Sequence, residues 1–218
     1  MSKCFNEPAV YFIMGSENAG ERQPLEVLKE ALRGGIDYFQ LREKGASALT
    51  GSALMEFAVA CRQLCREYDV SFIVNDDVEL AWEIGADGVH IGQEDQSALD
   101  VRRIIGQDKI LGVSVHSLEE AAIAVENGAD YVGMGPVFGT FTKSDAKKPS
   151  GVSGIETVKN KFPDLPVVGI GGITPLNAEL VWAAGADGVA VISAIAHAEN
   201  VASQIALLRP AAKAGAAK

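Results

Sequence analysis

Gln40, Arg42 and Lys44 alternate with apolar residues along YFQLREK. An extended backbone puts them with Tyr38 on one face, and Phe39 and Leu41 on the other. Two cations beside an amide suit a diphosphate, and burying them without an anionic partner would be costly. The competing reading is an internal ion-pair network with carboxylates. Asn75-Asp76-Asp77 and Gln93-Glu94-Asp95 follow two later apolar runs. Carboxylates at two strand ends could share a hard cation, because Mg2+ takes one or two of them together with water and phosphate oxygens. One of Asp76 and Asp77 is expected to cap the helix beginning at VELAWEI. In ILGVSVH, Ser114 and His116 share the face of Gly112, and Ser117 then opens S-L-E-E, a capping box. His116 reads as an acid or base, or as a hydrogen-bonded bystander; His90 reads as packed interior and His197 as surface.

Two loops suit phosphate groups. In GADYVGMGPVFGTFTK, Gly128 to Lys143, Pro136 ends a short apolar run, and the loop beyond carries Thr140, Thr142 and Lys143 with Gly139 to let the backbone approach a ligand. In Gly171-Gly172-Ile173-Thr174-Pro175, a glycine pair precedes a Thr cap with Pro at the first helical position, so a phosphate could meet the backbone N–H groups there. Ile192-Ser193 ends the last apolar run beside it in the expected fold.

These residues need elements that bring them to one place. GGIDYFQL, GADGVHIG, GADYVGMG and GADGVAVI repeat one pattern: a glycine ending a helix, an Asp suited to a tight turn, and a β-prone run. VYFIM, SFIVN, KILGVS and PVVGIG lie between them, which gives eight strand candidates. Helical patterns over Thr50–Tyr68, Val78–Ile84, Leu118–Asn127 and Leu176–Ala184 complete a βα alternation. An eight-strand (β/α)8 barrel fits this count better than a doubly wound sheet, since no G-x-G-x-x-G follows the first strand. The chain is expected to form one barrel domain over residues 1–210, with 211–218 a disordered tail and the site at the C-terminal ends of the strands.

A net charge of -10 disfavours a nucleic-acid surface, so anionic ligands must be met by locally placed groups or a metal. No apolar run approaches the roughly 20 residues that cross a bilayer, and no charged-then-apolar leader opens the sequence. A cytoplasmic protein acting on small molecules is expected, with a homo-oligomer left open. Cys4, Cys61 and Cys65 show no ligand pairing with histidine and are expected to be reduced; Cys61 and Cys65 read as small buried hydrophobes.

Taken in order, QLREK at Gln40–Lys44, NDD at Asn75–Asp77, GVHIGQED at Gly88–Asp95, GVSVH at Gly112–His116, GPVFGTFTK at Gly135–Lys143, GIGGIT at Gly169–Thr174 and VIS at Val191–Ser193 resemble the thiamine-phosphate synthase family over nearly the whole chain. The resemblance implies an enzyme joining a hydroxymethylpyrimidine diphosphate to a thiazole phosphate with release of pyrophosphate. It implies that Gln40, Leu41, Arg42, Glu43, Lys44, Asn75, Ser114 and Lys143 hold the pyrimidine diphosphate. Arg42, Lys44, Ser114 and Lys143 would be catalytic, and Asp76 and Asp95 would hold Mg2+. Thr140, Phe141, Thr142, Gly172, Ile192 and Ser193 would hold the thiazole phosphate. The family's mechanism, cleavage to a pyrimidine-methyl cation that the thiazole nitrogen captures, is expected too. Gly139 departs from the family's usual proline and Phe141 from a frequent polar residue; the loss of proline is expected to loosen the loop before binding. The segment from Gly139 to Gly154 is a candidate lid. A thiazole tautomerase using His116 and a non-catalytic thiamine-phosphate sensor are the alternatives.

Overall fold

A computed structural model of the protein describes residues 4–139 and 149–211. Its eight parallel strands are β1 Ala9–Met14, β2 Tyr38–Leu41, β3 Ser71–Asn75, β4 Gly88–Ile91, β5 Ile110–Val115, β6 Tyr131–Met134, β7 Val167–Ile170 and β8 Gly188–Val191. They pair in sequence order and β1 pairs with β8, so the expected (β/α)8 barrel closes. Around it, among the described residues, lie α1 Pro24–Arg33, α2 Gly51–Glu67, α3 Val78–Glu83, α4 Ala98–Ile105, α5 Leu118–Glu126, α6 Ser153–Lys161, α7 Ala178–Ala183, α8 Ser193–Ala196 and α9 Val201–Leu208. No helix among the described residues is long and apolar enough to cross a membrane. Of the expected tail, 212–218 lies outside the described residues.

Strand alternation separates two apolar layers. Outward residues such as Phe12, Phe39, Phe72, Leu111 and Val132 pack against the helices, where Cys61 and Cys65 are also fully buried. Inward residues Tyr11, Ile13, Tyr38, Ile73, Tyr131, Val168 and Ala190 fill the barrel with Phe5, which stacks on Tyr38 at a centroid distance of 4.3 Å. Burying this much apolar surface is the main force holding the barrel closed.

The repeated Gly-Asp junctions set its register. Gly35, Gly85, Gly128 and Gly185 each end a helix with φ between 66° and 88°, as expected. Their aspartates suit tight turns, but the structure gives them a longer reach. The carboxylates of Asp37, Asp87, Asp130 and Asp187 accept from the backbone N–H of Val10, Phe72, Leu111 and Val167 at 2.7–2.8 Å. Each Asp also donates its own N–H to the carbonyl of that same residue. Every even-numbered strand is thereby clamped to the odd strand before it. Arg209, Arg102 and Lys159 pair with Asp37, Asp130 and Asp187 at 3.0, 2.5 and 3.0 Å. Arg102 is buried and also donates to the carbonyls of Gly106, Lys109 and Gly128. Arg209 donates to Pro8 and Gly35 as well, tying the last helix to the first strand's entry.

One helix start differs from expectation. Pro175 does not begin α7, because the Asn177 side chain accepts from Thr174 N at 2.8 Å and donates to Gly172 O at 3.0 Å, closing a turn that delays the helix to Ala178. Leu176, left in that turn, is 98% exposed.

Asp130→Ala should strip a buried guanidinium of its counter-charge and cost about 3 kcal/mol of unfolding free energy in urea, while adding Arg102→Met should recover part of the loss. An Asp130→Ala protein as stable as the parent would remove the clamps from the account of the fold.

Candidate active site

The C-terminal ends of the strands surround a cavity of about 330 Å³. Arg42 and Lys44 enter it after β2, Asn75 and Asp76 from the end of β3, and Gln93, Glu94 and Asp95 from the loop after β4. Ser114 and His116 come from β5 and its end; Gly135 and Pro136 follow β6; Ile170 to Thr174 follow β7; Val191 to Ser193 close the ring. The charged and amide side chains therefore occupy one half. Glycines, aliphatic side chains and the hydroxyls of Thr174 and Ser193 form the other.

Backbone geometry resolves the Asp76-Asp77 pair. Asp77 caps α3 by accepting from Leu80 N at 2.9 Å, while Asp76 takes a left-handed conformation, φ 63°, and donates its N–H to His90 O at 2.8 Å. That conformation is uncommon outside glycine but accessible to Asp. The Asp76 carboxylate pairs with Lys44 at 2.5 Å and hydrogen-bonds to the Asp95 carboxyl. Its pKa lies above the ordinary carboxylate value, first because of burial, against the pull of Lys44, and with Asp95 adding to the rise. Asp95 also accepts from Gly92 N at 2.7 Å, which turns the loop after β4 into the mouth. The internal ion pairing weighed from sequence is thus realised in part, by Lys44 and Asp76.

QLREK divides. Arg42 and Lys44 line the cavity, but Gln40, Leu41 and Glu43 do not. Leu41 packs in the outer layer. The Glu43 carboxylate accepts from Ser16 N at 2.8 Å, from Ser16 Oγ, and from Leu49 N at 3.0 Å, holding together the loops after β1 and β2. Gln40, 1% exposed, donates Nε2 to Tyr11 Oη at 2.9 Å. Tyr11 Oη lies 2.8 Å from Tyr131 Oη, Tyr131 Oη 2.9 Å from His90 Nδ1, and His90 Nε2 2.8 Å from Ser114 Oγ. His90 is interior as expected, yet its bond to Ser114 was not anticipated; strand alternation gave the burial but no partner. Gly112 makes the Tyr131–His90 contact possible, since a Cβ there would overlap the Tyr131 phenol and His90 Nδ1.

His116 lines the cavity with Nδ1 3.0 Å from Glu120 Oε2. Ser117 caps α5 through Glu120 N at 3.2 Å, and the Glu120 carboxylate turns back to accept from His116 N at 2.6 Å. His197 is exposed, as read from sequence. Gly172, Ile192 and Ser193 line the second half. The glycine pair's close approach is to the loop after β6: Val137 N and Phe138 N donate to Ile170 O and Gly171 O at 2.8 and 3.0 Å. A Cβ at Gly172, φ 64°, would overlap Gly139 O. Thr140, Phe141, Thr142 and Lys143, and most of the candidate lid, lie outside the described residues.

Residues 10–195 match the family profile described as Thiamine monophosphate synthase. The chain is 52% identical over 200 residues to the thiamine-phosphate synthase of Lysinibacillus sphaericus, covering 92% of this chain and 93% of that one. It is 56% identical over 191 residues to that of Bacillus mycoides, covering 88% and 86%. A thiamine phosphate pyrophosphorylase structure from Pyrococcus furiosus superposes with a TM-score of 0.81 at 39% identity, covering 92% and 93%.

Glu43→Ala should release two loops at once. The expected result is a loss of about 2 kcal/mol in unfolding free energy, with faster amide exchange at Ser16 and Leu49 than at the strand residues; unchanged exchange at both would show that Glu43 does not anchor them.

Proposed function

The chain belongs to the thiamine monophosphate synthase family, and we propose that the two halves of its mouth receive the two substrates of that synthesis. It is a thiamine-phosphate synthase, a transferase of thiamine biosynthesis. In our reading it condenses 4-amino-2-methyl-5-hydroxymethylpyrimidine diphosphate with 4-methyl-5-(2-phosphoethyl)thiazole, giving thiamine phosphate and pyrophosphate. The observation that carries this reading is the division of one cavity into a charged half and a glycine-and-hydroxyl half.

The charged half takes the diphosphate. Arg42 and Lys44 meet its oxygens, Asn75 and Ser114 supply neutral polar contacts, and Lys143, assigned from its motif alone, adds a third cation. Gln40, Leu41 and Glu43 stand behind these groups rather than in the wall, and their contacts to Tyr11, the outer layer and Ser16 and Leu49 frame the strand end that carries Arg42 and Lys44. Three carboxylates, Asp76, Glu94 and Asp95, face two cations among the described lining residues, a balance that repels a diphosphate unless further positive charge arrives. Asp76, whose carboxyl pKa is raised, and Asp95, in contact with it, suit a hard divalent cation. No group of three or more His, Cys, Asp or Glu ligands occurs among the described residues. Two carboxylates completed by ligand oxygens and water fit Mg2+, which when bound would stabilise charge on the leaving pyrophosphate.

The chain's own residues then have two tasks. Arg42, Lys44 and Ser114 draw charge toward the leaving group as the pyrimidine-methyl carbon loses its C–O bond. Gly172, Ile192 and Ser193, with Thr140, Phe141 and Thr142 assigned from sequence, hold the thiazole phosphate so that its ring nitrogen faces that carbon. The tautomerase and sensor readings are not favoured, since the relatives carry the synthase name and Asn75, Asp76, Asp95 and Lys44 share one cavity. Three buried cysteines without a disulfide suit a reducing compartment, and we place the enzyme in the cytoplasm.

Pyrophosphate release from the pyrimidine diphosphate should require both thiazole phosphate and Mg2+, with thiamine phosphate formed in equal amount; release without the thiazole, or none at all, would overturn the proposal. Because a proton competes with the cation at Asp76, the Mg2+ concentration giving half-maximal turnover should climb as pH falls. That climb should begin above the ordinary aspartate pKa of about 3.9. An Asp95→Asn enzyme with the parent's Mg2+ dependence would remove Asp95 from the metal site.

A further inference from the structure

The buried chain from Gln40 to Ser114 has a direction that the donor inventory fixes. At one end Gln40 Nε2 can only donate, so Tyr11 Oη is an acceptor there. The Tyr11 proton is then available for Tyr131 Oη, and the Tyr131 proton for His90 Nδ1. A nitrogen that accepts from Tyr131 carries no proton of its own, so the neutral ring bears its hydrogen on Nε2 and donates it to Ser114 Oγ. Run the other way, Tyr11 would receive two donors and have no named acceptor for its own proton. Tyr11, Tyr131 and Gln40 are each no more than 1% exposed and His90 is 8% exposed, while Ser114 is the member that opens on the cavity. Burial holds both phenols well above the ordinary tyrosine pKa, so each keeps the proton that the chain requires.

We propose that this relay makes His90 a positioning residue, one that holds the Ser114 hydroxyl as a hydrogen-bond donor toward the cavity rather than as an acceptor from it. The proposal rests on the reading of Ser114 as a contact to the anionic diphosphate. A serine that accepts from His90 Nε2–H has its own proton left for an acceptor in the mouth, and an anionic oxygen is such an acceptor. With the tautomer reversed, Ser114 would donate to His90 and present only lone pairs to the anion. Gln93 adds a second restraint by donating Nε2 to Ser114 O at 2.6 Å, fixing the backbone that carries the hydroxyl. The site is built for the relay: Gly112 leaves room for the Tyr131 and His90 rings, and at Gly133 a Cβ would press on His90 Cε1 at 3.2 Å. A relay running in this direction uses the neutral form of His90 and no other ionised group, so it conveys polarity without placing a second ion beside Asp76 and Lys44.

Two independent measurements test this. Long-range 1H–15N correlation spectra of protein labelled in its histidine rings report which nitrogen bears the proton. His90 should show the Nε2–H form, and Tyr131→Phe should release the Nδ1–H form; an Nδ1–H ring in the parent, or a tautomer indifferent to Tyr131→Phe, would overturn the relay. In turnover assays with both substrates and Mg2+, His90→Leu should lower kcat by about tenfold to a hundredfold with little change in KM. His90→Gln, which can restore a donor near the Nε2 position, should return kcat to within about threefold of the parent. Full activity in His90→Leu, or equal losses in the Leu and Gln variants, would reduce His90 to packing. Should the parent itself form no thiamine phosphate, the functional reading would fall, and the ring spectra alone would still decide the relay.

Discussion

The barrel depends on four carboxylates that each seize one backbone amide on a neighbouring strand. A parallel strand can slide along its neighbour with little loss of hydrogen bonding, and a one-residue slip would turn every inward side chain outward. Asp37, Asp87, Asp130 and Asp187 prevent this by contacting both the N–H and, through their own amide, the C=O of a single residue at the base of β1, β3, β5 and β7. Everything at the opposite end inherits its position from these contacts. Asp76 and Lys44 meet, and His90 reaches Ser114, because β2 to β5 start in the right register several residues earlier.

Stability and chemistry are thereby kept at opposite ends. The cations at the base, Arg102, Lys159 and Arg209, are committed to Asp carboxylates and main-chain carbonyls. Those at the mouth face acidic groups whose repulsion is only partly relieved: Lys44 spans to Asp76, but Asp95 lies against the same carboxyl. A site of this kind stores electrostatic tension in its ligand-free form, and a bound anion with its counter-ion relaxes it. The overall charge of -10 fits such an arrangement, because binding an anion here depends on local order and not on a general positive field.

Much of this was legible in the sequence, for a physical reason. Glycine at a left-handed helix end followed by a β-prone run is a local signal that marks four of the strands, and the apolar runs between them mark the other four, so the eight-strand barrel could be read from both together. Period-two alternation likewise placed Arg42, Lys44, Ser114 and His116 at the mouth. What stayed hidden depends on partners distant in the chain. Asp130 looks like any turn aspartate until Leu111 is seen beside it, and Glu43 looks like a neighbour of two cations until Ser16 and Leu49 claim its oxygens. His90 could be called interior, but its bond to Ser114 joins residues 24 apart, and its bond to Tyr131 fills a space that Gly112 leaves open. The late start of α7 was missed because an Asn side chain outcompeted Pro175 for the turn.

The seam between β1 and β8 has a consequence for how the protein is made. β1 leaves the ribosome before the other strands of the barrel, yet its second neighbour is the last strand of the sheet, and Arg209, which fastens the seam to Pro8, Gly35 and Asp37, is later still. Until that arginine has emerged, the nascent sheet has two open edges with unpaired N–H and C=O groups, β1 on one side and the newest strand on the other. Synthesis at about 5–20 residues per second leaves that ribbon open for about 10–40 seconds, the interval in which it is most exposed to pairing with another chain.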